Sequence, residues 1–291
     1  MMDTILVLTD FSDVAFHAAS YAAGLTLQLH SKQLILYHAY EVVAPASGAV
    51  SLVQQSSDSL QADSMEKLKA LQRRLEKFLS NVTSVHCRAE GLSLDTSIND
   101  VVEAENADLI VMGITGKSAL EQQLVGSTTV RVAPKSRRPV LIVPVEAAIE
   151  PVRQIVFACD TEQTTQLKAA ADLIKILDEF SVPLMVVNVD HKQAHFGEKT
   201  PLDTVVLHEL LAPHNPSFHF TDDEDIVAGI MEFALAHQAS MIILIPKNQG
   251  FFEGLFHRSV TKKLAYHTSI PLLVLHESRP GETQGSAVSQ V

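Results

Sequence analysis

Short apolar runs alternate along this chain with longer stretches in which apolar residues return every three or four positions. Residues 5–8 and 109–112 are continuous apolar runs of strand length, residues 34–40 and 139–143 are nearly so, and residues 82–89 read as a further strand. Such runs suit a parallel sheet buried on both faces. Between them, residues 14–29, 59–79 and 97–106 show helical spacing; Met65, Leu68, Leu71, Leu75 and Leu79 fall on one face of the middle segment, a core stripe rather than a cofactor box. Residues 44–55 are small and polar and predict a loop. Strand–helix alternation of this kind predicts an α/β fold with a parallel sheet and right-handed crossovers.

The pattern then repeats. QIVFACD at residues 154–160 parallels TILVLTD at 4–10. Residues 167–180 and 226–237 are helical, residues 184–190 form a strand, and a third strand lies near 219–221. Residues 107–144 match residues 239–276 without a gap, so that Ala107 falls on Ala239 and Pro139 on Pro271. An internal repeat of this length predicts two copies of one fold: a first domain over 1–148, a second over 149–277, and a polar, disordered tail over 278–291.

Composition narrows the function classes. The 291 residues suffice for two domains, and 46% hydrophobic content gives each half a core. A formal charge of −12 argues against binding the phosphate backbone of nucleic acid, which needs a basic face. Two cysteines, Cys87 and Cys159, sit far apart and suit a reducing compartment. The first residues lack the basic region and apolar core of a signal peptide, and no apolar run is long enough to span a membrane. A cytoplasmic protein without membrane attachment is expected. His38 has no partner at metal-ligand spacing and reads as a packed strand residue; no metal site is expected.

The chemistry gathers in residues 107–144. A buried strand ends at Met112. A loop with Gly113, Gly116 and Gly126 follows, and a helix opens at Ser127 and Thr128. Glycines let backbone N–H groups approach an anion, and a helix start adds unpaired N–H groups. The spacing is neither the Walker loop nor the dinucleotide fingerprint. At the first strand's end, Asp10 and Ser12 are candidate caps of the next helix, and Asp10 is also placed where open α/β sheets hold ligands.

Gly113, two residues, Gly116, nine residues, then Gly126-Ser127 resembles the nucleotide-binding signature of the universal stress protein family, in its ATP-binding branch. ILVLTDFS at residues 5–12 resembles the opening of such a domain, although Phe11 stands where the family often has Gly. The resemblance covers nearly the whole chain. It implies two Rossmann-like open parallel sheets of strand order 3-2-1-4-5, with a nucleotide at the switch point between the first and fourth strands. It also implies ATP, with or without Mg²⁺, held by Thr9, Asp10, Ala39 and Met112 around the adenosine. Gly113, Gly116, Gly126, Ser127 and Thr128 would hold ribose and phosphates.

In the second copy the three glycine positions carry Ile245, Asn248 and Arg258; only Ser259 and Asp160 match. That half is expected to keep the fold and lack the ATP site. His257, Arg258 and Lys262 read either as a site for another anion or as a solvated basic surface. Three functions remain open: an ATP-binding stress-response regulator with a degenerate second half, a slow ATPase, and a nucleotide-independent scaffold. Phosphoryl transfer needs a metal-binding carboxylate, a water-positioning group and a cationic clamp; Lys117 and Arg131 near the loop read equally as an exposed face, so no catalytic residues are named. The final strands, 140–143 and 272–275, are apolar edges. They are expected to pair within the chain as a fused pseudo-dimer, the alternative being two beads whose edges meet other chains in a homodimer.

Overall fold

The computed structural model describes residues 1–41, 50–79, 81–115, 127–159, 170–190, 200–245 and 260–275. The first half runs β1 (Thr4–Leu8), α1 (Asp13–Gln28), β2 (Gln33–Tyr40), α2 (Val50–Leu75), β3 (Ser84–Gly91), α3 (Leu94–Ala104), β4 (Leu109–Ile114), α4 (Ser127–Val132) and β5 (Val140–Pro144). The second half runs β6 (Ile155–Ala158), α5 (Ala170–Phe180), β7 (Leu184–Asp190), α6 (Thr200–Leu211), β8 (Ser217–Asp222), α7 (Ile226–Ala236), β9 (Met241–Leu244), α8 (Val260–His267) and β10 (Leu272–Val274).

All ten strands join one sheet, in the order β3-β2-β1-β4-β5-β10-β9-β6-β7-β8. Each half is parallel and follows the 3-2-1-4-5 order. The two open sheets expected from sequence are therefore fused into one. The seam is antiparallel: Leu272 lies opposite Ile142, Leu273 opposite Leu141 and Val274 opposite Val140. All six side chains are buried. Alternation sends Leu141 and Leu273 into one core layer, and Val140, Ile142, Leu272 and Val274 into the other. Both layers run across the seam without a break, so neither half closes its core alone.

Two segments depart from the hydropathy reading. Helix α2 begins at Val50, inside the expected loop at 44–55, and ends at Leu75, before a 3₁₀ turn at Glu76–Phe78. Pro45 and Gly48 are the last helix breakers ahead of it, and nothing from Val50 onward stops a helix. Helix α6 lies where the hydropathy pattern gives no reading; TPLDTVVLHELL mixes apolar and polar residues around the helix and carries no clear stripe to detect. The tail at 278–291 lies outside the described residues.

The repeat is visible in single bonds. Asp108 Oδ2 accepts from the backbone N–H groups of Asp3 at 2.9 Å and Thr4 at 3.2 Å, tying the start of β1 to the start of β4. In the second half the Ser240 hydroxyl oxygen does the same for Arg153 at 2.7 Å and Gln154 at 3.0 Å. Across the halves, the Gln28 side-chain amide donates to the Val152 carbonyl at 2.7 Å and accepts from its N–H at 2.8 Å. No helix among the described residues is long and apolar enough to cross a membrane.

Candidate functional site

The end of β1 is a hydrogen-bonded turn. Thr9 N–H continues the ladder to the Tyr37 carbonyl at 2.9 Å. The Thr9 carbonyl accepts from His38 Nδ1 at 2.7 Å; a carbonyl only accepts, so the His38 proton sits on Nδ1. Thr9 Oγ1 accepts from the Phe11 N–H at 3.0 Å. Asp10 Oδ1 accepts from both the N–H of Ser12, at 3.0 Å, and its hydroxyl, at 2.6 Å. The Ser12 oxygen in turn accepts from Ala15 N–H at 3.2 Å and caps α1. Of the two candidate caps, Ser12 therefore caps the helix and Asp10 orients the cap. Among the described residues both partners of the Asp10 carboxylate lie on one oxygen, and the side chain is exposed at the strand's end.

Phe11 adopts φ 67°. That left-handed conformation is free for glycine and costs another residue about 1–2 kcal/mol. Its ring rests 4.4 Å from the His38 ring and lies under the Lys67 ammonium at 5.8 Å.

One cavity opens at the carboxyl ends of β1, β2 and β4. Thr9, Asp10, Ala39, Met112, Gly113 and Thr128 all line it. Ser127 is the first residue of α4, while Gly116 and Gly126 lie outside the described residues. Leu94, Thr115 and Thr129 line it too. Leu94 escapes the sequence pattern because α3 starts at Leu94 rather than near Ser97. Thr129 is buried, and its hydroxyl donates to the Gly113 carbonyl at 2.8 Å, fastening α4 to the end of β4. Asp10 is the one carboxylate on the described lining, His38 also lines it, and no lysine or arginine does.

Gly113 has a packing role that spacing does not reveal. A Cβ there would stand 2.7 Å from the Val14 carbonyl oxygen and 2.8 Å from Val14 Cγ1. The glycine lets the first turn of α1 lie against β4. A valine at this position would disturb the fold, so it is no clean probe of ligand binding.

The second half repeats the strand ends with different chemistry. Cys159 N–H donates to the Val187 carbonyl at 3.0 Å, and the Asn188 amide donates to the Cys159 carbonyl at 3.0 Å, as Thr9, Tyr37 and His38 do in the first half. Ile245, opposite Gly113 in the repeat, packs half-buried against the core. Asp160, Asn248, His257, Arg258 and Ser259 lie outside the described residues. Among the described residues no three His, Cys, Asp or Glu side chains gather as a metal cluster.

A doubly wound sheet with a cavity at the switch point between β1 and β4 defines a Rossmann-like fold with a candidate ligand site. The family model of the universal stress proteins matches the chain twice, over residues 1–144 and 151–276. The chain therefore belongs to the universal stress protein family and carries two of its domains in tandem. A universal stress protein of Methanocaldococcus jannaschii is 33% identical over 143 residues, 48% of this chain and 80% of the relative. One from Synechocystis is 34% identical over 146 residues, 50% of this chain and 87% of the relative. In fold, a universal stress protein from Archaeoglobus fulgidus superposes with a TM-score of 0.66 at 14% identity, covering 96% of this chain and all of that one (100%).

Proposed function

We propose that this chain is a cytoplasmic stress-response regulator that binds ATP in its first half, the second half being a partner fused in place of a second subunit. Domain limits of 1–148 and 149–277 accompany that reading. The observation that carries it is the shared cavity of Thr9, Asp10, Ala39, Met112, Gly113 and Thr128 at the switch point.

The lining suits an adenosine. Leu8, Met112 and Leu94 offer apolar walls for a purine. The Asp10 carboxylate is an acceptor for ribose hydroxyls, and Thr128 offers a hydroxyl. With no described lysine or arginine on the wall, phosphate charge falls to backbone N–H groups and to the loop glycines Gly116 and Gly126. Any Mg²⁺ accompanying ATP would neutralise phosphate charge; on the described lining Asp10 alone could approach it, and Asp10 is already engaged by Ser12. That donor set fits retention of the nucleotide better than its turnover.

Calorimetry on the full chain tests this. ATP should saturate at one site per chain, and Asp10→Ala should weaken it at least tenfold, about 1.4 kcal/mol. No saturable binding, two equal sites per chain, or unchanged affinity in Asp10→Ala would each overturn the reading.

A further inference from the structure

Far from that cavity, β8 and the C-terminal end of α7 bring two imidazoles together on the second half. The ring centroids of His219 and His237 lie 5.5 Å apart, with the ring planes inclined at 50°. Phe233 packs against both, at 4.9 Å from His219 and 4.1 Å from His237, and fixes them as a pair. Each ring has one nitrogen engaged by an oxygen. His237 Nδ1 lies 2.9 Å from the Phe233 carbonyl, which can only accept, so the proton is on Nδ1 and Nε2 keeps its lone pair. His219 Nε2 lies 3.0 Å from Ser217 Oγ, which leaves Nδ1 as its other nitrogen.

Metal-ligating histidines have their other ring nitrogen held by an oxygen, which orients the ring; at His237 the carbonyl also sets the tautomer, while at His219 the Ser217 hydroxyl can donate or accept and orients the ring only. The spacing agrees. With metal–nitrogen bonds of about 2.0–2.1 Å, two imidazoles on one ion hold their centroids about 5–6 Å apart. The formal charge of −12 further favours cations near the surface.

We propose that His219 and His237 together chelate a divalent transition-metal ion, Zn²⁺ or its neighbours Ni²⁺ and Cu²⁺, with water completing the coordination shell. Two imidazoles suit these borderline ions and not Mg²⁺ or Ca²⁺, which take oxygen ligands. The site is independent of the nucleotide cavity in the first half and stands or falls apart from it.

Zinc chloride titrated into the full chain by calorimetry, beside a crystal soaked in the same ion, tests the proposal. The anomalous map of the wild-type protein should place zinc about 2.0–2.1 Å from a nitrogen of both rings. His219→Gln and His237→Gln should each weaken the tightest zinc site at least tenfold, while His208→Gln leaves it unchanged. An anomalous peak elsewhere but none between these rings would overturn the proposal. So would equal zinc affinity in wild type and both variants. The map is taken on unaltered protein, so its outcome does not depend on how the variants fold.

Discussion

Lys175, on α5 of the second half, places its ammonium 3.1 Å from Asp108 Oδ1, at the foot of β4 in the first half. The other oxygen of the same carboxylate holds the Asp3 and Thr4 N–H groups. One side chain thus closes the first half on itself and fastens it to the second. At the matching place in the second half, Ser240 performs only the local task.

Asp108→Ala should therefore cost more than Lys175→Met. The first leaves two strand-end N–H groups without their acceptor, about 1–3 kcal/mol, and the second removes a partly exposed ion pair worth about 0.2–1 kcal/mol. A double-mutant cycle by urea denaturation should give a coupling below about 1 kcal/mol. Equal losses in the two single variants would show that Asp108 acts only as the partner of Lys175.

Ile142→Lys should destabilise the whole chain by about 3 kcal/mol or more, because the ammonium would be buried opposite Leu272 with no partner at the seam. Limited proteolysis should open both halves together. If each half stays as resistant as in the wild type and only an oligomer is lost, the antiparallel seam is not what holds them.

Gly113→Ala should lower stability and loosen the start of α1, since its methyl would meet the Val14 carbonyl. A loss of about 1–3 kcal/mol is expected, with faster amide exchange at the first turn of α1. Wild-type stability together with lost ATP binding would assign the glycine to ligand approach instead.

Asp172 sits on α5 where burial raises its pKa, against the opposing pull of Arg138 and Lys175. With the folded value above the unfolded one, its contribution is most favourable below the ordinary aspartate range and is lost as pH rises through the folded pKa. Asp172→Asn should be more stable than wild type at pH 7, the gap closing as pH falls below about 4. Thermal melts across that range would show it; a less stable variant at pH 7 would mean that the two cations outweigh burial.

The His219 shift has the opposite consequence. Its folded pKa lies below the usual histidine value, first through burial and then through His237. The stability it protects is complete above about pH 6.5 and declines as pH falls below that value. In zinc-free buffer, His219→Gln should lose less stability between pH 7 and 5 than wild type. Parallel curves would remove His219 from the acid response.

The strand runs were legible because both faces of β1, β4 and β5 are buried, which leaves a continuous apolar signature. The repeat was legible for the same reason, and it led directly to the pairing of β5 with β10. Of the cavity residues, Asp10 follows from its place at a strand end, while Thr9, Ala39 and Met112 follow from the family resemblance. What spacing could not show is which atom a residue answers to. Gly113 reads as a phosphate-approach glycine, while its missing Cβ faces Val14. Phe11 reads as a departure from a glycine position, and its φ of 67° shows the backbone keeping the glycine conformation despite the side chain. His219 and His237 are 18 residues apart (237 − 219), at no ligand spacing, and meet only because α7 packs back toward β8. The start of α2 escapes the reading because the polar run from Gln54 to Asp58 separates the apolar Val50, Leu52 and Val53 from the stripe that begins at Met65.

The seam between β5 and β10 also changes how the molecule responds to dilution. Two separate subunits joined by those edges would come apart as their concentration fell, and their stability would carry a concentration term. Here the partner edge arrives on the same polypeptide. Unfolding should keep one midpoint across a hundredfold range of protein concentration, and a cell making only a few copies would still have every one of them paired.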